Sequence, residues 1–92
     1  MAKVIVTLKI MPESPETDLD NTKSQIMNLL TKSYGDIETK TETENIAFGL
    51  KALLVTFVID ESTGTTDELE TKISELDGIN SVEAIDVRRA IG

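Results

Sequence analysis

The sequence predicts an α+β fold, a four-stranded antiparallel sheet with two helices on one of its faces. Three observations predict it. The N-terminal segment alternates in polarity with period two, and a later run, Leu50–Asp60, is the most hydrophobic stretch of the chain. Two amphipathic stretches of helical spacing follow strand-like segments. A length of 92 residues fits one domain, spanning residues 1–92.

Taken in order, Ala2–Ile10 reads as the first strand. Val4, Val6, Leu8 and Ile10 point to one side and Lys3, Ile5, Thr7 and Lys9 to the other. Met11–Pro15 is expected to break it, with Ser14 as a helix N-cap and Pro15 at the first helical position. Glu16 and Asp18 suit the positive end of that helix. Leu19, Lys23, Ile26, Met27, Leu30 and Tyr34 form its apolar stripe, and Gly35 stops it. DIETKTETEN (Asp36–Asn45) is rich in threonine and charge, which suits an edge strand. Leu50–Asp60 is apolar on both sides, so both faces are expected to be buried, in a central strand. ESTGTT (Glu61–Thr66) is a turn, and Thr65 with Glu68 matches a capping box for a second helix. Leu69, Ile73 and Leu76 give that helix a narrow stripe, ended by Asp77-Gly78. Ile79–Arg89 closes the chain as a fourth strand carrying Val82, Ile85 and Val87.

The resulting order, strand–helix–strand–strand–helix–strand, is the ferredoxin-like βαββαβ arrangement. Right-handed crossovers put both helices on one face. The first and third strands, the most hydrophobic, then fall in the middle of the sheet, and the polar second strand falls at an edge.

Composition removes several kinds of chemistry. There is no cysteine, hence no disulfide, iron–sulfur cluster or catalytic thiol, and no histidine to act as base or metal ligand. No cofactor and no metal site are expected. The formal net charge of -8 opposes nucleic-acid binding. No signal peptide or transmembrane-length run is visible, so the chain is expected to be cytoplasmic.

NIAFGLKALLVTFVID (Asn45–Asp60) holds the sharpest local signal. Gly49 can take backbone angles closed to other residues, and it lies between an aromatic residue and the start of a buried strand. That setting would display Phe48 at a loop tip; capping of the core is the alternative. Lys51 is either an ordinary strand-end charge or a second contact. Arg88 and Arg89 end the last strand, with three residues beyond them. They are either solvated charges or groups able to insert into a partner.

Three stretches taken together resemble the elongation factor 1-beta family in its short archaeal form. VTLKIMPESPETDLD is similar to the family's entry strand and acidic helix start. NIAFGLKALLVTFVIDE resembles its aromatic–glycine turn and central strand. GTTDELETKISELDGINSVEAIDVRRAIG resembles its second helix and final strand, basic pair included. The resemblance implies a guanine nucleotide exchange factor for elongation factor 1-alpha, promoting GDP release and GTP reloading, with no covalent chemistry and hence no enzyme activity. It implies that Arg89, with Arg88 beside it, reaches the magnesium and phosphate site of the GTPase, where eukaryotic members often carry lysine. It implies that Phe48 wedges against that partner. The partner surface expected is Phe48, Gly49, Lys51, Arg88 and Arg89, on a monomer.

Rival functions on this fold fit less well. An acylphosphatase-like enzyme needs a phosphate cradle after the first strand, where this chain has the acidic MPESPETD. An RNA-recognition domain needs aromatics on its central strands, and only Phe57 is there. The alternative that stays open is a small regulatory or ligand-binding domain.

Overall fold

The computed structural model describes residues 2–63 and 66–90. Strand β1 (Lys3–Pro12) leads into helix α1 (Leu19–Tyr34), followed by the hairpin β2 (Thr39–Asn45) and β3 (Lys51–Asp60). A short 3₁₀ turn (Glu61–Thr63), helix α2 (Asp67–Ser74) and strand β4 (Ile79–Ala90) complete it. The sheet order is β2-β3-β1-β4, antiparallel throughout, so the two apolar strands are central as their composition requires.

Val6, Leu8 and Ile10 of β1 and Leu53, Val55, Phe57 and Ile59 of β3 line the covered face of the sheet. Ile26 and Leu30 of α1 and Leu69 and Ile73 of α2 pack onto them in the same cluster, which puts both helices on one face. Tyr34 closes the end of α1 by stacking on Phe57, with ring centroids 5.8 Å apart. Gly35 follows at φ 79°, and its N–H bonds the Thr31 carbonyl to end the helix.

The structure corrects four local expectations. First, β1 does not break at Met11 but continues through Pro12, paired with β4. Second, α1 starts at Leu19 with Asp18 as its N-cap, not at Ser14-Pro15. Asp18 Oδ1 accepts from the backbone N–H groups of Asp20 (3.1 Å) and Asn21 (3.2 Å). Ser14 is instead used in a turn, its carbonyl accepting from Thr17 N–H, while Glu13 N–H is tied to the Gly78 carbonyl at 2.8 Å. These bonds hold the segment before α1 as a loop. Third, Lys23 is exposed and Thr22 takes the buried place, its hydroxyl donating to the Asp18 carbonyl at 3.1 Å. Fourth, β3 is not buried throughout on both faces. On the face away from the helices Ala52 is buried, but Leu54, Thr56 and Val58 are only half-buried.

Strand β4 forms where the sequence places it, but it is irregular. Its pairing with β1 shifts register between Thr7 and Leu8, which face Asp86 and Ala84, so Ile85 is an unpaired bulge. Val87 lies opposite Val6, on the covered side, yet is 62% exposed, and Ile85 is 47% exposed. The helices leave this corner of the sheet bare. Of Val82, Ile85 and Val87, only Val82 packs against the core. At α2 the N-cap is Thr66, with no side-chain capping bond; Thr65 and its capping box lie outside the described residues. No helix among the described residues is long and apolar enough to cross a membrane.

Candidate functional site

The candidate residues fall at opposite ends of the sheet. The hairpin tip after β2 lies beside the start of β3, whereas Arg88 and Arg89 lie beside Ile5 and Val4, near the end of β3. Lys51 and Ile59, the β3 residue level with Arg89, are separated by about 26 Å at strand rise, along a molecule 42 Å in its longest dimension. Phe48, Gly49 and Lys51 are thus brought together, as are Arg88 and Arg89, but the two groups do not meet.

At the hairpin end, Leu50 N–H donates to the Ala47 carbonyl at 2.9 Å, closing a turn with Phe48 and Gly49 at its centre. Both have positive φ, 54° and 78°, the pattern of a type I′ turn. Gly49 meets that demand without strain, but Phe48 does not. A bulky residue in the left-handed region costs about 1–2 kcal/mol. Phe48 is nevertheless 96% exposed, so no burial in the free chain offsets the strain. The core-capping alternative is therefore ruled out. A strained, displayed aromatic points to function rather than packing. A Cβ on Gly49 would lie 3.7 Å from the Pro15 side chain, so the loop before α1 runs close beside the turn. Between them opens a cleft of about 510 Å³ edged by Pro15, Asp18, Asp20, Gly49 and Lys51. Lys51 is exposed on its rim.

At the other end, alternation along β4 sends the two arginines to opposite faces. Arg88 is on the open face and pairs with Asp86 two residues back, Nε to Oδ2 at 2.8 Å. Arg89 is on the helix side and reaches across to Glu61, its Nη2 lying 2.7 Å from Oε1 and 2.8 Å from Oε2. Glu61 sits on the 3₁₀ turn, where its N–H donates to the Ala2 carbonyl at 3.1 Å. Asp60 Oδ1 accepts from the N–H (3.0 Å) and the hydroxyl (2.9 Å) of Ser62, fixing the turn. Those two bonds, helped by the charge of Lys3, hold the Asp60 carboxyl below its usual value. Val87, two positions before Arg89 on the same side, and the bulged Ile85 add exposed apolar surface beside the cation.

Sequence reasoning missed Ile85 and Val87 as surface residues. The signal was present: Val82, Ile85 and Val87 are spaced three and then two, which a regular strand cannot keep on one side. Glu61 carried no such signal, because its partner lies 28 positions away. Among the described residues no cluster of three or more acidic side chains could hold a metal ion.

Comparison with known proteins bears on what these surfaces do. Residues 5–90 match the family described as the EF-1 guanine nucleotide exchange domain. The chain belongs to that family. It is 46% identical over 89 residues to elongation factor 1-beta of Methanosphaera stadtmanae, covering 97% of this chain and 98% of that protein. It is 39% identical to elongation factor 1-beta of Methanothermobacter thermautotrophicus, with the same coverage of each chain. Among solved structures, the ACT domain of a GTP pyrophosphokinase from Chlorobium tepidum superposes with a TM-score of 0.58 at 17% identity, covering 91% of this chain and 88% of that one. That likeness shows the ferredoxin-like fold alone. Members of the exchange family act on a GTPase without making or breaking covalent bonds, so this chain is a guanine nucleotide exchange factor and not an enzyme. Membership favours exchange over the regulatory, ligand-binding alternative.

Proposed function

We propose that this chain, as a cytoplasmic monomer, engages elongation factor 1-alpha through both ends of its sheet. The single observation that carries this reading is Phe48, 96% exposed in a strained turn of a chain matching an exchange domain over residues 5–90. Phe48 supplies an apolar wedge, with Gly49 setting the turn and Lys51 beside it. The opposite end supplies the cation. Arg89, flanked by Val87 and Ile85, approaches the phosphates of bound GDP, with Arg88 as its neighbour.

The chemistry follows from charge. In a GTPase site the divalent ion bridges phosphate oxygens and is the largest local charge. A guanidinium entering there competes for those oxygens and repels the ion, so GDP loses contacts and leaves faster. Arginine offers a planar fork of donors where the family's eukaryotic members often have a compact ammonium, which suits it to bridging two oxygens at once. The factor must bind the nucleotide-free GTPase more tightly than the loaded one, because coupling between sites is reciprocal. The net charge of -8 keeps the factor away from RNA while it binds a protein.

The test is release of a fluorescent GDP analogue from elongation factor 1-alpha of the same source, with and without catalytic amounts of this protein. Acceleration is expected. Release at the unassisted rate, with both proteins folded, would overturn the reading.

A further inference from the structure

We infer that Glu61 is a positioning residue for Arg89 in nucleotide exchange, an inference that rests on the role proposed for Arg89. The two arginines differ in how they are held. Arg88 leans on Asp86 within its own strand, on the open face. Arg89 is held by a carboxylate from another element, across the end of the sheet.

That carboxylate is itself anchored. The Glu61 backbone is bonded to Ala2, and the next residue is pinned by Asp60. Both oxygens of Glu61 converge on a single guanidinium nitrogen, Nη2. Arg89 makes no other hydrogen bond or ion pair among the described residues, so its Nη1 and Nε donors stay available. An incoming phosphate oxygen can therefore be met without breaking the pair. A free arginine must lose rotamer freedom when it captures an anion, whereas one already held against a fixed turn has less to lose. Glu61 thus orders the guanidinium before the partner arrives. A carboxylate that merely competed for Arg89 would instead slow exchange, and the two roles predict opposite signs.

The experiment measures kcat and KM for GDP-analogue release from elongation factor 1-alpha, using the full chain, Glu61→Ala, Arg89→Ala and the double variant. With Arg89 present, Glu61→Ala is expected to lower kcat by about threefold to fivefold with KM nearly unchanged, the upper range for an exposed pair. In the Arg89→Ala background it should change nothing, because its effect runs through Arg89. An unchanged or faster Glu61→Ala, or an equal cost in both backgrounds, would overturn the inference. If Arg89→Ala alone leaves exchange untouched, the proposed role of Arg89 fails and Glu61 falls with it, while acceleration by the parent still stands. Should Glu61→Ala disturb the 3₁₀ turn by thermal unfolding, Glu61→Gln keeps the side-chain size and carries the same comparison.

Discussion

The two ends of the sheet present their candidate contact groups by different physical means. At the hairpin end the backbone does the work. A turn with positive φ at Phe48 and Gly49 thrusts an aromatic ring into solvent. At the terminal end the backbone is ordinary strand, and long charged side chains are restrained by carboxylates. The first device is rigid and indifferent to salt; the second is electrostatic and screened. A contact of the first kind suits affinity, and one of the second suits displacing charge at a nucleotide. If both ends contact the partner as proposed, binding and exchange should separate in mutants.

The largest effect that could break this division is at Arg89. Arg89→Ala should lower kcat for exchange by roughly tenfold to a hundredfold, the loss of a charge-assisted contact of about 1.5–3 kcal/mol. Its thermal midpoint should barely move, because an exposed pair contributes about 0–1 kcal/mol. A fall in affinity with kcat unchanged would reverse the roles of the two ends. Phe48→Ala should instead weaken the complex by roughly thirtyfold, about 2 kcal/mol for an aromatic anchor. Isothermal titration across a range of salt checks it, and the loss should be the same throughout.

Phe48→Gly sharpens the same point. It removes the left-handed strain, so the fold should gain roughly 0.5–1 kcal/mol after the entropy of glycine is set against it. Partner affinity should fall as for alanine. A destabilised Phe48→Gly protein in denaturant unfolding would mean that the ring packs in solution.

The smallest effect concerns pH. The folded state lowers the pKa of Asp60, so its contribution is fully present above the ordinary aspartate value, near about 4. It is lost as pH falls through the lower folded value, loosening the turn that carries Glu61. Asp60→Asn should flatten the acid limb of a stability–pH curve. Tyr34 acts at the other extreme. Burial first, then Glu68 and Glu70, raise its pKa, so its contribution is present below about 10 and lost as pH rises through the folded value.

Much of this was legible in the chain. The alternation at Val4–Ile10 and the apolar run from Leu53 to Ile59 marked the two central strands, and the charge of Thr39–Asn45 marked an edge. The pair Phe48-Gly49 was legible as a display because glycine after an aromatic and before a strand suggests a turn of unusual φ. The start of α1 was not legible. Ser14-Pro15 carries a local helix-start signal, and only the bond from Glu13 to Gly78, across the fold, holds that segment in a loop. Nor was the bulge at Ile85 legible as such: the broken spacing of Val82, Ile85 and Val87 shows that they cannot share one side of a regular strand, but only the pairing with β1 puts Val87 on the helix side, where the helices do not reach it.

By itself the sequence determined which segments are strands and helices, which strands are central, and that Phe48-Gly49 forms an exposed turn, because periodicity, residue type and local backbone chemistry act over a few positions. Only the tertiary structure decided that the aromatic and the arginines stand at opposite ends of the sheet, and that Arg89 meets Glu61. Those facts depend on strand register and on how far the helices cover the sheet. Both are set by contacts between residues distant in the chain, which no local pattern encodes.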